Sequence, residues 1–389
     1  MKDNIEYIKN IYEKNAKILD NDEVNKFCKN KIKKRNSNFY MMKFSMVFIM
    51  IIISSFGIVY ATYNVYTNYK KANFFPSFIS STSEIDSNKI WIASFQLIWN
   101  DLMDDIVKGP IQFESYDSIL ANDLNKQSFK DDQLSDEDYY KTYGLINEKT
   151  KQEIEENIEK KFNTTSKILN KINWNDTTPG YILYCMLKKD FSYLYPFDKI
   201  KSDSFAGSQI NVEYFGINQT SSRDASKNIE VLFYNSKEDF AVKLKTKEGE
   251  EVFIYRNNDL NHSFSNIYNE IIEKEKQYSG ESEFLLNDII QIPYIKISED
   301  INYDELCGKA IKNTDYVILQ AIQTIDFELD NEGGHVESEA LIELRKSFVE
   351  KTDREFKFND KFVLFLKEEN KEKPYLALKI DNTDFLIEE

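Results

Sequence analysis

The most constraining feature of the sequence is an apolar run near its N-terminal end. Residues 44–63, FSMVFIMIIISSFGIVYATY, contain no charged side chain. A helix of this length, rising 1.5 Å per residue, spans a bilayer core of about 30 Å. The run is longer than the apolar part of a secretory signal peptide, and no good cleavage site follows it. The sequence therefore predicts a transmembrane helix at 44–63, with a buried core helix as the minor alternative.

The charges that flank this run predict its orientation. Residues 1–71 carry 13 Lys and Arg against 6 Asp and Glu, and most of the positive charges precede the apolar run. Positively charged flanks remain on the cytoplasmic side of a membrane. We therefore expect a cytoplasmic tail at 1–43, a stalk at 64–88 and an extracellular domain at 89–389. The protein is predicted to be a single-pass protein of the cell membrane.

The charge of the large C-terminal part excludes one class of partner. Residues 72–389 contain 37 Lys and Arg and 60 Asp and Glu, a net charge of −23. A domain this acidic repels nucleic acids and anionic lipids. The chain is 41% hydrophobic and 14% aromatic, which is enough to build one large core or two smaller ones. We expect no nucleic-acid partner, and the oligomeric state stays open.

Helical patterns come first along the chain and strand patterns follow. Apolar residues recur every three or four positions in IWIASFQLIWNDLMDDIV, and LINEKTKQEIEENIEKKF reads as a second, highly charged helix. From about residue 180, short β-branched and aromatic runs alternate with turn residues, among them YILYCMLKK, NVEYFGI, IEVLFYN, FAVKLKT and EVFIYR. Helices followed by antiparallel strands predict an α+β fold.

The sequence contains no recognisable catalytic constellation. It has two histidines and three cysteines, and the conceivable nucleophilic pairs are Cys185 with His262 and Cys307 with His335. No pattern marks either thiol as activated, so inert thiols are the better interpretation. We expect no metal, no cofactor and no enzymatic activity, and whether Cys185 and Cys307 form a disulfide stays open.

The order of segments over 145–387 allows a comparison with a known family. A helix precedes YILYCMLKKDFSYLYPF, a strand and an aromatic crossing segment that ends in Pro-Phe. Paired strands and the strand-Pro-aromatic segment IIQIPYIKI follow. YVILQAIQTIDFELDNEGG is predicted to be a strand that ends in a glutamate-glycine hinge, and the closing strand pair is KFVLFLKE and PYLALKI. This order resembles the serpins, the serine protease inhibitor superfamily. It implies a serpin-like multi-sheet domain with mostly antiparallel strands. Two departures are a short, polar 108–143 segment and an inserted stretch at 160–180.

The resemblance implies an exposed loop at 333–356. In inhibitory members this loop is cut by a protease and inserts as a new strand into the central sheet. The implied function is binding of an extracellular protease, and inhibition if the loop inserts. The alternative is a non-inhibitory structural or adhesive ectodomain without a moving loop. Hinge and reactive-loop candidates are Glu332, Gly333, Gly334, Val336, Ser338, Ala340, Arg345, Lys346, Ser347 and Phe348.

One residue of register decides whether this loop fits a sheet. If Gly333 holds the hinge position, the inward side chains are Gly334, Val336, Ser338, Ala340, Ile342 and Leu344. If Gly334 holds it, His335, Glu337 and Glu339 face the core, and burying unpaired carboxylates costs several kcal/mol. Two other interpretations stay open: a helix, because Val336 to Phe348 also fit helical spacing, and a plain hairpin with DNEGG as its turn. For a trypsin-like protease, Arg345 or Lys346 would be the bait, that is, the residue that the protease recognises at the bond it cuts.

Overall fold

Alternating apolar residues in the C-terminal part of the chain form most of its strands. The computed structural model describes residues 72–80, 87–175, 180–333 and 354–389. The predicted tail and transmembrane helix lie outside these residues, as does most of the predicted loop. Within them, no helix is both long enough and apolar enough to cross a membrane.

Strands dominate the described residues. They are β1 (Ala72–Phe75), β2 (Asn88–Ile92), β3 (Tyr139–Leu145), β4 (Tyr181–Leu187), β5 (Asp198–Ser204), β6 (Asn211–Ile217), β7 (Ile229–Ser236), β8 (Asp239–Lys245), β9 (Glu250–Arg256), β10 (Ile289–Pro293), β11 (Ile295–Asn302), β12 (Ile322–Leu329), β13 (Glu355–Lys357), β14 (Phe362–Glu368) and β15 (Leu376–Ile380). They form a seven-stranded sheet in the order β1-β2-β15-β14-β9-β8-β7, a four-stranded sheet in the order β13-β10-β6-β5, and the pairs β3-β4 and β11-β12.

The seven-stranded sheet contains the most buried part of the core. Every residue of β14 and β15 is buried, as expected for central strands covered on both faces. Even the lysines of these strands are buried, and each is paired: Lys367 with Glu251 at 2.5 Å and Lys379 with Asp381 at 2.9 Å. The multi-sheet α+β fold with mostly antiparallel strands is therefore confirmed. Among the strands that the structure describes, only β1-β2 and β10-β13 pair in parallel.

Four α-helices lie in the described residues: α1 (Ser94–Asp101), which continues as a π-helical turn over Leu102–Val107, α2 (Ile119–Leu124), α3 (Glu148–Phe162) and α4 (Phe264–Gln277). The helix α3 begins where the Asn147 side chain accepts a hydrogen bond from the Thr150 amide, and it ends at Asn163, which has φ +49°. Only Ile154 and Ile158 of this helix are buried, so its charged sequence forms a largely solvated face.

The strand pair β3-β4 has a different layer on each face. Its even-numbered side chains, such as Ile182 and Tyr184, pack with Ile154, Ile158 and Trp174 in a small satellite core under α3. Cys185 and Leu187 point the other way and contact the main core, next to α1. Successive side chains of a strand point to opposite faces, which is why one strand serves two cores.

Two expectations need correction. Part of the predicted stalk belongs to the folded domain, because β1 lies in the large sheet and Phe75 and Phe78 are buried. The run YVILQAIQTIDFEL was expected to be one strand, but only Ile322–Leu329 is extended in a sheet. Residues before it bend back, since Val317 pairs with Ala310 in an isolated bridge.

Candidate functional site

A slot separates the two strand pairs. Within the described residues, β4 pairs only with β3 and β12 only with β11, so the facing edges of β4 and β12 have no partner strand. Both strands run towards the same end of the slot, where Ser192 and Gly333 form a bridge. A cavity of about 2130 Å³ lies between them. An unpaired edge presents free N–H and C=O groups, so two facing edges can hold one additional strand.

The floor of the slot is apolar. It is lined by side chains from the end of β2, from α1, from the end of β4 and from the seven-stranded sheet behind them: Ile92, Phe95, Ile98, Leu187, Leu366 and Leu376. Small or apolar side chains of an added strand would therefore bury surface against this floor, at about 25 cal/mol per Å². A carboxylate pointing the same way would lose its water without gaining a partner.

One end of the slot is closed by backbone contacts around Gly333. The Tyr193 amide donates to the Glu332 carbonyl at 3.0 Å, and the Phe197 amide donates to the Asn331 carbonyl at 2.8 Å. The backbone of Gly333 has φ +105°, and a Cβ at this position would lie 2.5 Å from the Cα of Ser192. Only glycine fits this turn, because it lacks the side chain that both the close approach and the positive φ disfavour.

The side chains behind this end hold it rigid. The Glu248 carboxylate accepts hydrogen bonds from the Ser192 amide at 2.7 Å and from its hydroxyl at 2.9 Å. Tyr193 is fully buried and packs edge-on against Phe197, with ring centroids 4.8 Å apart. The Tyr294 hydroxyl donates to the Asn331 side-chain oxygen at 2.8 Å. The chain therefore enters residue 333 from a fixed position and a fixed direction.

A buried polar contact ties the start of β12, at the end of the slot opposite Gly333, to the floor. Gln323 of β12 is 4% exposed, and its amide nitrogen donates to the Ser94 hydroxyl at 2.8 Å and to the Ile92 carbonyl at 3.2 Å. Its side-chain oxygen accepts from the Tyr303 hydroxyl at 2.7 Å. Because the polar atoms of its side chain are hydrogen-bonded, Gln323 fixes β12 relative to the start of α1.

Ion pairs cross the outer face of the slot. Lys167, in the connection between α3 and β4, contacts Asp326 of β12 at 2.8 Å, and Lys171 contacts Asp300 of β11 at 2.7 Å. These side chains are between about one third and two thirds exposed, so each pair adds little stability. They nevertheless show that the rim of the slot is charged while its floor is apolar.

An ionic cluster lies beside the slot. The Lys189 ammonium contacts Glu250 at 2.5 Å, Asp138 at 2.6 Å and Glu368 at 2.9 Å, and Tyr375 donates to Glu250 at 2.7 Å. Burial alone would lower the pKa of Lys189, but hydrogen bonds to these carboxylates raise it above its ordinary value. This lysine stays charged and joins β4 to the seven-stranded sheet.

The thiols do not form a catalytic centre in the described residues. Cys185 and Cys307 are both free, so the disulfide left open by the sequence is absent. Burial raises the pKa of both thiols, which disfavours the reactive thiolate. The His262 side chain is 55% exposed, and its Nε2 lies 3.7 Å from the Asp259 carboxylate. His335 lies outside the described residues.

Of the predicted loop residues, the structure describes the first two. Glu332 and Gly333 lie together at the closed end of the slot. The other candidates, Gly334 to Phe348, lie outside the described residues, so the register stays a prediction. Sequence reasoning did not find Gln323 or Lys189, because a glutamine in a strand and a lysine after one carry no motif. The crossing segment that contains Ser192 was recognised, but its contact with Gly333 was not.

Comparison with known proteins gives a likeness of fold only. No protein-family model and no curated protein sequence matches this chain. Among solved structures, the chain is similar to human thyroxine-binding globulin in complex with thyroxine, at 11% identity and a TM-score of 0.41, covering 64% of this chain and 77% of that one. It is also similar to serpin48 of the insect Tenebrio molitor, described as a highly specific serpin, at 12% identity and a TM-score of 0.36, covering 64% and 78%.

A third similar structure is that of maspin, at 14% identity and a TM-score of 0.41, covering 60% of this chain and 66% of that one. The three TM-scores are all below 0.5, so these structures do not show the function of this chain.

Proposed function

We propose that the slot receives residues 334–344 as an added strand, in a serpin-like protein that binds and inhibits a protease through the loop 333–356. The observation that supports this is the pair of unpaired strand edges, β4 and β12, that converge on Gly333. A chain that turned back at Gly333 would run antiparallel to both edges. It would then satisfy the backbone groups of both strands at once.

The length of residues 334–344 also supports this segment as the added strand. Residues 322–332, which form one wall of the slot up to the turn, number as many as 334–344. At about 3.3 Å per residue, the two stretches have equal reach. Residues 334–344 are therefore long enough to run the whole length of β12.

The position of Gly333 favours one of the two registers. Gly333 already occupies the turn, at φ +105°, so Gly334 is the first residue available to enter the slot. In this register Val336 and Ala340 face the apolar floor, and Glu337 and Glu339 face outward. Exposed lysines at the rim, Lys188 and Lys296, lie on that outer side. In the other register the glutamates would meet the apolar floor instead.

Cleavage followed by thermal unfolding tests this proposal. A protease that cuts within 340–350 frees the segment, and its insertion should raise Tm, because a new strand is added to two edges. Ala340→Glu should abolish this rise, since it places a carboxylate on the floor, whereas Glu339→Gln, one residue away, should preserve it. Cleavage confirmed by mass spectrometry with no change in Tm would favour the non-inhibitory ectodomain instead.

Inhibition is tested separately from insertion. Incubation with trypsin-like proteases should give a complex that survives SDS, and Arg345→Ala or Lys346→Ala should identify the bait residue by preventing it. If the cleaved protein shows a higher Tm but no protease forms such a complex, the loop inserts without inhibiting. That outcome would retain the slot as the binding site for residues 334–344.

We also propose that residues 44–63 anchor the chain in the cell membrane, with 1–43 in the cytoplasm. The support is the uncharged length of 44–63 and the positive charge before it. Cys28, the cysteine of the tail, allows a direct test in intact cells. A membrane-impermeant maleimide should label Cys28 only after permeabilisation, and labelling before it would overturn the orientation.

A further inference from the structure

Exposed apolar side chains are concentrated at the end of the slot opposite Gly333. Eight of the eleven large apolar side chains that are exposed in the described residues belong to three neighbouring segments: the ends of β3 and β4, residues 116–119 and residues 316–319. We call this surface the tyrosine patch, and it comprises Tyr116, Ile119, Tyr143, Leu145, Tyr181, Tyr316, Val317 and Leu319.

The first half of the patch is continuous across two segments. Leu145 and Tyr181 are direct partners across the β3-β4 pair, and Tyr143 lies on the same face as Leu145. The Tyr181 ring then packs edge-on against Tyr316, with ring centroids 6.0 Å apart. The end of one strand pair thus meets the segment that precedes β12.

The second half continues through residues 309–317. Val317 bridges to Ala310, next to Lys309. The Lys309 ammonium lies 4.6 Å from the centroid of the Tyr116 ring, a cation–π contact. Ile119, at 72% exposed, and Leu319, at 71%, are the most exposed large apolar side chains in the described residues. Such a concentration is unusual for a surface that contacts only water.

The rim of the patch is acidic. Residues 102–117 and 304–315 together contain seven Asp and Glu against three Lys. The Asp105 charge raises the pKa of Tyr143, and Glu305 contributes, after burial, to the raised pKa of Tyr116. The tyrosine hydroxyls therefore lie beside carboxylates that face the same solvent.

This combination of charge and apolar surface selects one kind of partner. An anionic membrane would be repelled by the rim, and a second copy placed symmetrically would bring like charges together. A basic protein segment has the complementary charge, and its cations can contact tyrosine faces as Lys309 contacts Tyr116. Tyrosine is also enriched among the residues that dominate binding energy at interfaces.

We propose that the tyrosine patch binds an extended protein segment in which basic and apolar side chains alternate. This site is separate from the slot and does not depend on insertion of residues 334–344. Binding at the patch therefore does not require a protease at the loop 333–356.

Binding can be measured with a defined probe. The full-length chain, in a neutral detergent, is titrated with a short fluorescent peptide of alternating Lys and Leu, and fluorescence anisotropy is recorded. Tyr316→Ser and Leu319→Ser should each weaken binding about ten-fold, as for the loss of a central interface contact. Leu286→Ser is the matched control, because Leu286 is 64% exposed but lies outside the patch.

Charge and self-association are tested in parallel. A peptide of alternating Glu and Leu should not bind, and salt should weaken binding of the Lys peptide less in Asp105→Asn than in the wild type. Equal binding of both peptides, or equal loss in Leu286→Ser, would overturn the proposal. So would dimers in sedimentation that Leu319→Ser abolishes, because the occupant would then be a second copy. Unchanged thermal unfolding of each variant shows that the fold is intact.

Discussion

Arg354 and Asp288 form a buried ion pair at the point where the chain returns from the segment 334–353. The guanidinium Nη2 lies 2.6 Å from the Asp288 carboxylate, and the two side chains are 10% and 1% exposed. Arg354 also donates to the carbonyls of Glu281 and Glu283, so its other donors are satisfied. Gly333 is held against Ser192, so the residues that flank 334–353 on both sides have fixed positions.

Removal of this arginine should destabilise the domain strongly. Arg354→Met leaves the Asp288 carboxylate buried without its cation, which costs about 3 kcal/mol or more of the free energy of unfolding. Lys237→Met is the control, since Lys237 forms an exposed pair with Glu355 at 2.8 Å and its loss should cost less than about 1 kcal/mol. Urea unfolding measures both, and equal effects would show that the burial of Arg354 is not what matters.

Alanine substitutions at two glycines with positive φ distinguish the cost of backbone strain from the cost of steric contact. Gly207→Ala, at φ +68° with no atom near the added Cβ, should cost about 1 kcal/mol of strain. Gly333→Ala should cost about 3 kcal/mol, because the Cβ also collides with Ser192 and with the Phe191 carbonyl oxygen at 2.6 Å. Comparable losses in urea unfolding would show that the chain relaxes at Gly333 and that the closed end of the slot is not rigid.

Loss of the hydroxyl should change the stability of the domain in opposite directions at two buried tyrosines. Within the described residues the Tyr193 hydroxyl has no hydrogen-bond partner, so Tyr193→Phe removes an unsatisfied group and should stabilise the domain by up to about 1 kcal/mol. The Tyr303 hydroxyl donates to Gln323, so Tyr303→Phe leaves a buried acceptor unpaired and should cost about 1–2 kcal/mol. A loss of stability in both variants would indicate that Tyr193 is partnered in solution.

Acid should weaken the domain in part through Asp239. Burial alone would raise the pKa of this carboxyl, but hydrogen bonds from Asn235, Lys274 and Asn257 hold it below its ordinary value of 3.8. A depressed carboxyl pKa contributes stability that is present above 3.8 and is lost as pH falls towards the folded-state pKa. Asp239→Asn should therefore flatten the decline of unfolding free energy below pH 3.8. An unchanged slope would exclude this carboxyl as a contributor.

Much of the fold was predictable from local patterns. The strands β7, β8, β9, β14 and β15 carry runs of β-branched and aromatic residues that were recognised directly, and α3 was recognised from its charged helical pattern. The strand β5 was missed, because DKIKSDS is polar and half of its side chains face solvent. The early residues of YVILQAIQTIDFEL were predicted as strand because apolar content alone does not reveal that the chain folds back at Val317.

The sequence by itself determined the acidity of the domain, the class of fold and the pair of glycines, Gly333 and Gly334, that follows β12, because these depend on composition and local pattern. Only the tertiary structure decided that β4 and β12 face each other without pairing and that Ser192 meets Gly333. Those contacts join residues more than a hundred positions apart, and their partners are chosen by packing. The same holds for Lys189, whose three carboxylates come from distant strands and loops and are brought together only by the folded core.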